Sequence, residues 1–126
     1  MYKPAGTKFR ITTVIRQILL QNLDLVELIG DKIYPLYAPD DTEGDYVLYT
    51  RDEYSIDRTQ MGICLQKCKV FINVVSADYD RGQEIAEKIF KILDGDYSDG
   101  MKIRMIDSTE DIADKKYVQV LLFSIE

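Results

Sequence analysis

Carboxylates are the most plentiful groups here that could do chemistry. The chain has 22 Asp and Glu against 16 Lys and Arg, and no histidine. Lack of histidine removes the commonest general base and the commonest metal ligand. It also forbids a Ser-His-Asp or Cys-His nucleophile. Two acidic clusters invite a calcium reading: Asp40, Asp41, Glu43 and Asp45, and then Asp94, Asp96, Ser98 and Asp99. A helix–loop–helix calcium site needs oxygen ligands at positions 1, 3 and 5, glycine at 6 and a bidentate glutamate at 12. Counted from Asp94, position 6 is Asp99 and position 12 is Met105; counted from Asp40, position 5 is already Gly44. Both clusters therefore read as solvated turns. With so many acids a carboxylate pair for glycoside chemistry stays conceivable, but no spacing singles one out.

The remaining candidates are weaker. "GTK" at 6–8 lacks the upstream glycine of a phosphate-binding loop. "DRGQE" opens a helix, yet one glycine there is a poor anion signal. Cys64 and Cys68 are the two cysteines. On a strand they stand about 13 Å apart, too far for a disulfide. They read as small reduced hydrophobes facing one side of a sheet, and two cysteines without histidine make a poor zinc set. No cofactor and no metal is expected.

A chain of 126 residues fits one domain, 1–126, and a domain of that size buries roughly 68% of its unfolded surface. The net charge of −6 and a pI near 4.7 argue against a protein that grips nucleic acid by its phosphates. The start, "MYKPAGTKFRITTV", has no apolar run of signal-peptide length. No stretch of about 18 apolar residues exists to span a membrane. Nine tyrosines and no tryptophan complete the picture. Tyr34, Tyr37, Tyr46, Tyr49 and Tyr54 crowd one third of the chain, as in an interface or on a half-covered sheet face.

The elements that must carry these residues follow from periodicity. Residues 8–22 read as an amphipathic helix with Ile11, Val14, Ile15, Ile18 and Leu19 on its apolar side. A short helix over 24–29 has Asp24 as N-cap, Glu27 completing a capping box, Leu23 and Leu28 as staple, and Gly30 at its C-terminal end. Ile33–Tyr37 reads as extended and, because Pro35 donates no ladder hydrogen bond, as an edge strand or strap. Pro39 starts the polar loop "APDDTEGD", whose acids discourage edge pairing. Strands follow at Tyr46–Ile56 and 62–76, joined by a projecting loop at about 52–61. In the second, Cys68, Val70, Ile72 and Val74 share one face and Phe71 and Val75 the other, the mark of a central strand. The segment 76–95 is a helix capped by Asp78 or Asp80, with a stripe of Ile85, Ala86, Ile89, Ile92 and Leu93 widened by Phe90, and ended by Gly95. Residues 101–107 and 116–125 close the chain as a hairpin joined by "STEDIADK", the last strand again apolar on both faces. The expected fold is α+β, in the order α-α-β-β-β-α-β-β: a mostly antiparallel sheet of four to five strands, an N-terminal helix, and one long helix between strands.

Three stretches carry a resemblance: "LIGDKIYPLYAP" (28–39), "DYVLYTRDEY" (45–54) and "CKVFINVVSADYDRGQEIAEKIFKILDG" (68–95). In this order they resemble the tail-completion or tail-terminator proteins of long-tailed bacteriophages and prophages, a small family formerly of unknown function. Asp45 departs from the family, which usually has proline before the aromatic. The resemblance implies a structural virion assembly protein and no enzyme. It implies a homo-oligomeric ring, typically a hexamer, that terminates the tail tube and helps join it to the head. Its partners would be other copies of itself, the major tail tube protein and the head–tail connector protein. DNA would be passing cargo only, with no membrane involved. Such a protein would sit in the bacterial host cytoplasm during assembly and then in the virion tail or neck. Arg51, Tyr54, Ile56, Arg58 and Met61, in or beside the projecting loop, are the expected oligomer and partner contacts; a solvated hairpin is the alternative. Two other functions stay open: another neck, head–tail joining or minor tail component with the same fold, and a carboxylate-based enzyme or small-ligand domain.

Overall fold

The computed structural model describes residues 8–59, 62–97 and 100–126, with backbone alone for 59 and 62–65. Helices α1 (Ile11–Leu20) and α2 (Leu23–Ile29) precede strands β1 (Ile33–Pro35), β2 (Tyr46–Thr59) and β3 (Gly62–Ser76). Helix α3 (Tyr79–Leu93) is followed by β4 (Gly95–Asp96), β5 (Lys102–Ala113) and β6 (Lys116–Ile125). The six strands form one sheet in the order β1-β2-β3-β6-β5-β4. Only β1 and β2 run parallel; the other pairs are antiparallel. The α+β order is the expected one, and β3 and β6 are the central pair that their two-sided apolar patterns call for.

The helices form a single layer. Ile11, Ile15 and Leu19 of α1, Leu25 and Ile29 of α2, and Ile85, Ala86, Ile89 and Leu93 of α3 bury their side chains. Beneath them lie Val70, Ile72 and Val74 of β3 and Leu121, Phe123 and Ile125 of β6. Register makes that face continuous: Val70 pairs with Phe123 and Ile72 with Leu121. Val14, expected in the α1 stripe, is 39% exposed because the helix turns its Ile11–Ile15–Leu19 line inward.

Several boundaries differ from the sequence-based expectation. Helix α2 starts earlier and is capped by Asn22, whose Oδ1 accepts from the Leu25 amide at 3.0 Å. Asp24 instead lies in the first turn, and Leu23 is 76% exposed, so no staple forms. Asp78 caps α3, accepting from the amides of Asp80 and Arg81 at 3.0 and 3.3 Å. Asp94 is the C-terminal cap of α3, and Gly95 begins β4 instead. The sheet gains a strand over the four to five expected because the two-residue β4 pairs with β5.

Both long hairpins reach further than expected. Strand β2 continues to Thr59, so most of the expected loop 52–61 is ladder. Strand β5 runs to Ala113, and "STEDIADK" shrinks to a two-residue turn at Asp114 and Lys115, both at positive φ (49° and 65°). That is the mirror-image turn whose twist suits a hairpin. The acidic run 107–111 tolerates a strand because it lies at the sheet's outer side, where charge discourages edge pairing.

Candidate functional site

Outside the core, side chains gather in three places. The first is the base of the β2–β3 hairpin. Beyond Cys68, which pairs with Ile125, the hairpin leaves the sheet as a two-stranded ribbon. Six further residues of β3, back to Gly62, carry it about 20 Å. A bulge at Asp52 shifts the register between Arg51 and Glu53. The extra residue resets the alternation, so Arg51 opposite Val70 and Tyr54 opposite Cys68 lie on the same face. Phe9 fits between them: its ring lies 4.6 Å from the Arg51 guanidinium and 5.1 Å from the Tyr54 ring. The Arg51 Nη1 donates to the Phe9 carbonyl at 3.2 Å, and the Lys8 amide donates to the Tyr54 hydroxyl at 3.1 Å. The Tyr54 hydroxyl donates to Gln66 Oε1. Burial pushes the Cys68 thiol pKa up, against the opposing pull of Lys8 and Arg51. A protonated, buried thiol is no nucleophile.

Of the five expected contact residues, Arg51 and Tyr54 thus hold the segment leading into α1. Ile56, half-buried, and exposed Arg58 lie further out on the ribbon. Met61 lies outside the described residues.

The second place is the sheet face that the helices leave uncovered. The chain between β1 and β2 passes over it, and the β5–β6 turn rises beside it. Together they frame a groove of about 570 Å³. Its floor is Tyr46, Leu48, Val75, Val118 and Val120; Leu36, Tyr37 and Pro39 form one wall. Leu36 sits at φ 67°, a left-handed conformation that a branched side chain rarely adopts, and is 69% exposed. Its amide donates to the Tyr49 carbonyl at 2.9 Å, which fixes the turn. Two buried polar atoms in the groove, Asn73 Oδ1 and Thr42 Oγ1, have no hydrogen-bond partner. Asp40, Asp111 and Asp114 line it against one cation, Lys116, whose Nζ lies 5.2 Å from the Tyr46 ring. Asp45 lies 3.3 Å from Arg81 Nε. Arg81 also donates to the Leu28 carbonyl at 3.2 Å, so it ties the end of this strap to α2 and α3.

The third place is the end of the helix-covered face. The Glu110 carboxylate accepts from the Tyr79 hydroxyl and from Gln119 Nε2, the latter at 2.6 Å. These hydrogen bonds hold its pKa below the usual carboxylate range, and the same bond raises that of Tyr79. Tyr79 and Tyr117 meet edge to face at 5.4 Å.

Among the described residues no three Cys, Asp or Glu side chains converge on a metal position. Asp94 accepts from the Met105 amide at 2.9 Å, and Asp96 pairs with Arg104 at 2.8 Å. The described members of the second acidic cluster therefore close the β4–β5 corner. What sequence reasoning missed is the groove, with Asn73 and Thr42. The signal was present: β3 and β6 are apolar on both faces, while the helices suffice for one.

Neither a protein-family model nor a curated protein matches this sequence. Among solved structures, a chain from the virion of a native gene transfer agent (GTA) particle shares the fold, with a TM-score of 0.75. The match covers 99% of this chain and 98% of that one at 16% identity, so the likeness is one of fold.

Proposed function

We propose that this chain is a structural, non-enzymatic subunit of a tailed-phage-like virion. In this reading, copies of it form a ring, a hexamer in the assembled tail, that ends the tail tube and helps join it to the head connector. One observation carries the reading: the whole chain has the fold of a component of a gene transfer agent virion. The likeness runs end to end, over 99% of this chain and 98% of that one. The charge agrees with the role. A chain of net charge −6 repels phosphate, so DNA passes such a ring as cargo without being gripped. The projecting ribbon suits head-to-tail contacts between ring neighbours. On this reading the protein gathers in the host cytoplasm during assembly and then resides in the tail or neck.

Electron microscopy of particles made without this protein tests the reading. Tails of abnormal length are expected. Tails of normal length detached from filled heads would assign it instead to head–tail joining. Normal virions would end the proposal.

A further inference from the structure

We infer that Lys8 and Phe9 form a releasable brace across a hinge, and that this brace decides whether the β2–β3 ribbon is held in place or loose. The hinge is the bulge at Asp52, where an extra residue interrupts the ladder between Arg51 and Glu53. A bulge bends its strand and disrupts pairing locally. Phe9 spans it. The Phe9 ring meets Arg51 on the sheet side of the bulge at 4.6 Å and Tyr54 on the ribbon side at 5.1 Å. The backbone follows the same plan. The Phe9 carbonyl accepts from Arg51 Nη1, and the Lys8 amide donates to the Tyr54 hydroxyl at 3.1 Å and to Gln66 Oε1 at 3.2 Å. Tyr54 stands on β2 and Gln66 on β3, and the Tyr54 hydroxyl donates to Gln66. Two residues ahead of α1 thus hold both strands of the ribbon.

The ribbon needs the brace because little else steadies it. Strand β1 accompanies β2 only as far as Tyr49, and β6 accompanies β3 only from Cys68 onward. A two-stranded ribbon by itself is marginally stable in water. A second register shift, between Asp57 and Arg58, interrupts its ladder again. A further tie to the sheet is the Lys67–Glu126 ion pair at 3.3 Å, half-exposed at both ends, and such surface pairs hold little. The brace in turn is formed so that it can let go. Phe9 is 64% exposed and Arg51 is exposed, so their contacts are the weak kind found in solvent. Helix α1 starts at Arg10 without a side-chain cap and has no acid in its first turn, which leaves the turn carrying Phe9 loosely held. Ile11, two positions on, is anchored in the core. Residues 8–10 therefore leave while α1 stays packed, and the ribbon then loses its hold at the bulge. The device belongs to the single chain and stands apart from the virion-subunit reading.

Hydrogen exchange of the whole chain, followed by mass spectrometry, tests the brace. Phe9→Ala is expected to speed exchange of the ribbon amides at 53–58 and 66–67 about tenfold, with those of α3 and β6 unchanged. Phe9→Tyr keeps the ring and is expected to exchange like the parent. Arg51→Met removes the guanidinium on the sheet side and is expected to give a smaller rise in the same amides. Lys67→Ala cuts only the surface ion pair and is expected to stay within about twofold of the parent. Thermal melting checks that each variant still folds. Three results would each overturn the inference: ribbon exchange in Phe9→Ala equal to the parent's, a rise spread evenly over α3 and β6, or Phe9→Tyr no better than Phe9→Ala. A larger rise in Lys67→Ala than in Phe9→Ala would also overturn it, since the hold would then lie with Lys67.

Discussion

The two faces of the sheet carry similar side chains and meet different surroundings. On the helix side, Val70, Ile72, Phe123 and Ile125 are wholly buried. On the other side, their chain neighbours Phe71 and Leu122 remain partly exposed, and Asn73 holds an unanswered oxygen. An antiparallel sheet with one wet face ordinarily alternates apolar and polar residues. Here the alternation fails at the central strands, although only one helical layer exists to cover them. The strap after β1 and the β5–β6 turn stand in for a second layer over part of this face and bury Val75 and Val118. The difference teaches how cover is shared: helices close one face completely, while a strap and a turn close the other only in part.

Adjacent residues of β6 put that division to its sharpest test. Phe123→Ala is expected to cost about 3–5 kcal/mol, because its whole side chain leaves a closed core. Leu122→Ala, one residue away on the half-wet face, is expected to cost about 1 kcal/mol. Urea denaturation of both variants measures the contrast, and equal losses would erase the distinction between the faces.

Asn73→Leu probes the uncovered face from the opposite direction. Removing a buried acceptor that nothing satisfies is expected to stabilise the protein by about 1 kcal/mol in urea denaturation. A destabilised monomer would show that Asn73 is already satisfied within one chain.

Much of this arrangement was legible in the sequence. The 3.6-residue stripe of α3, the period-two faces of β3 and the edge placement of Pro35 all follow from patterns that tertiary packing reinforces. The ends of the hairpins were not legible. "DIADKK" lacks the Asn-Gly or Asp-Gly that usually betrays a two-residue turn, and an acid-rich run resembles loop by composition. The bulge at Asp52 was invisible too, since register depends on what the opposite strand presents. The groove escaped for a related reason: its walls come from 36–42 and 111–116, which meet only after the sheet is assembled. Asp45 illustrates the converse. In sequence it is one more acid of a polar loop, and it gains its meaning from Arg81, 36 positions away in the chain and 3.3 Å away in space.

The turn that closes the groove offers a smaller effect. Lys115 occupies a left-handed position at φ 65° that glycine adopts without steric cost. Lys115→Gly is therefore expected to raise stability by about 0.5 kcal/mol in thermal melts, net of the extra freedom glycine has when unfolded. A lowered melting temperature would show that Lys115 holds this position without strain.

The smallest effect concerns Glu110, which closes the end of the covered face with charge where apolar contact runs out. Its pKa lies below the usual carboxylate range because Tyr79 and Gln119 donate to the ionised form. A depressed folded-state pKa gives stability that is present above the unfolded value and is lost as pH falls through the folded one. For a glutamate that window opens below about pH 4.3. Glu110→Gln removes the ionisation and, with it, this part of the acid sensitivity. The parent should therefore exceed the variant in melting temperature near neutrality, and the gap should narrow as the solution is acidified to about pH 3. Glu110 is exposed, so solvent screens the interaction and the gap is expected to be small. A gap that stays constant with pH would assign the bonds to shape alone.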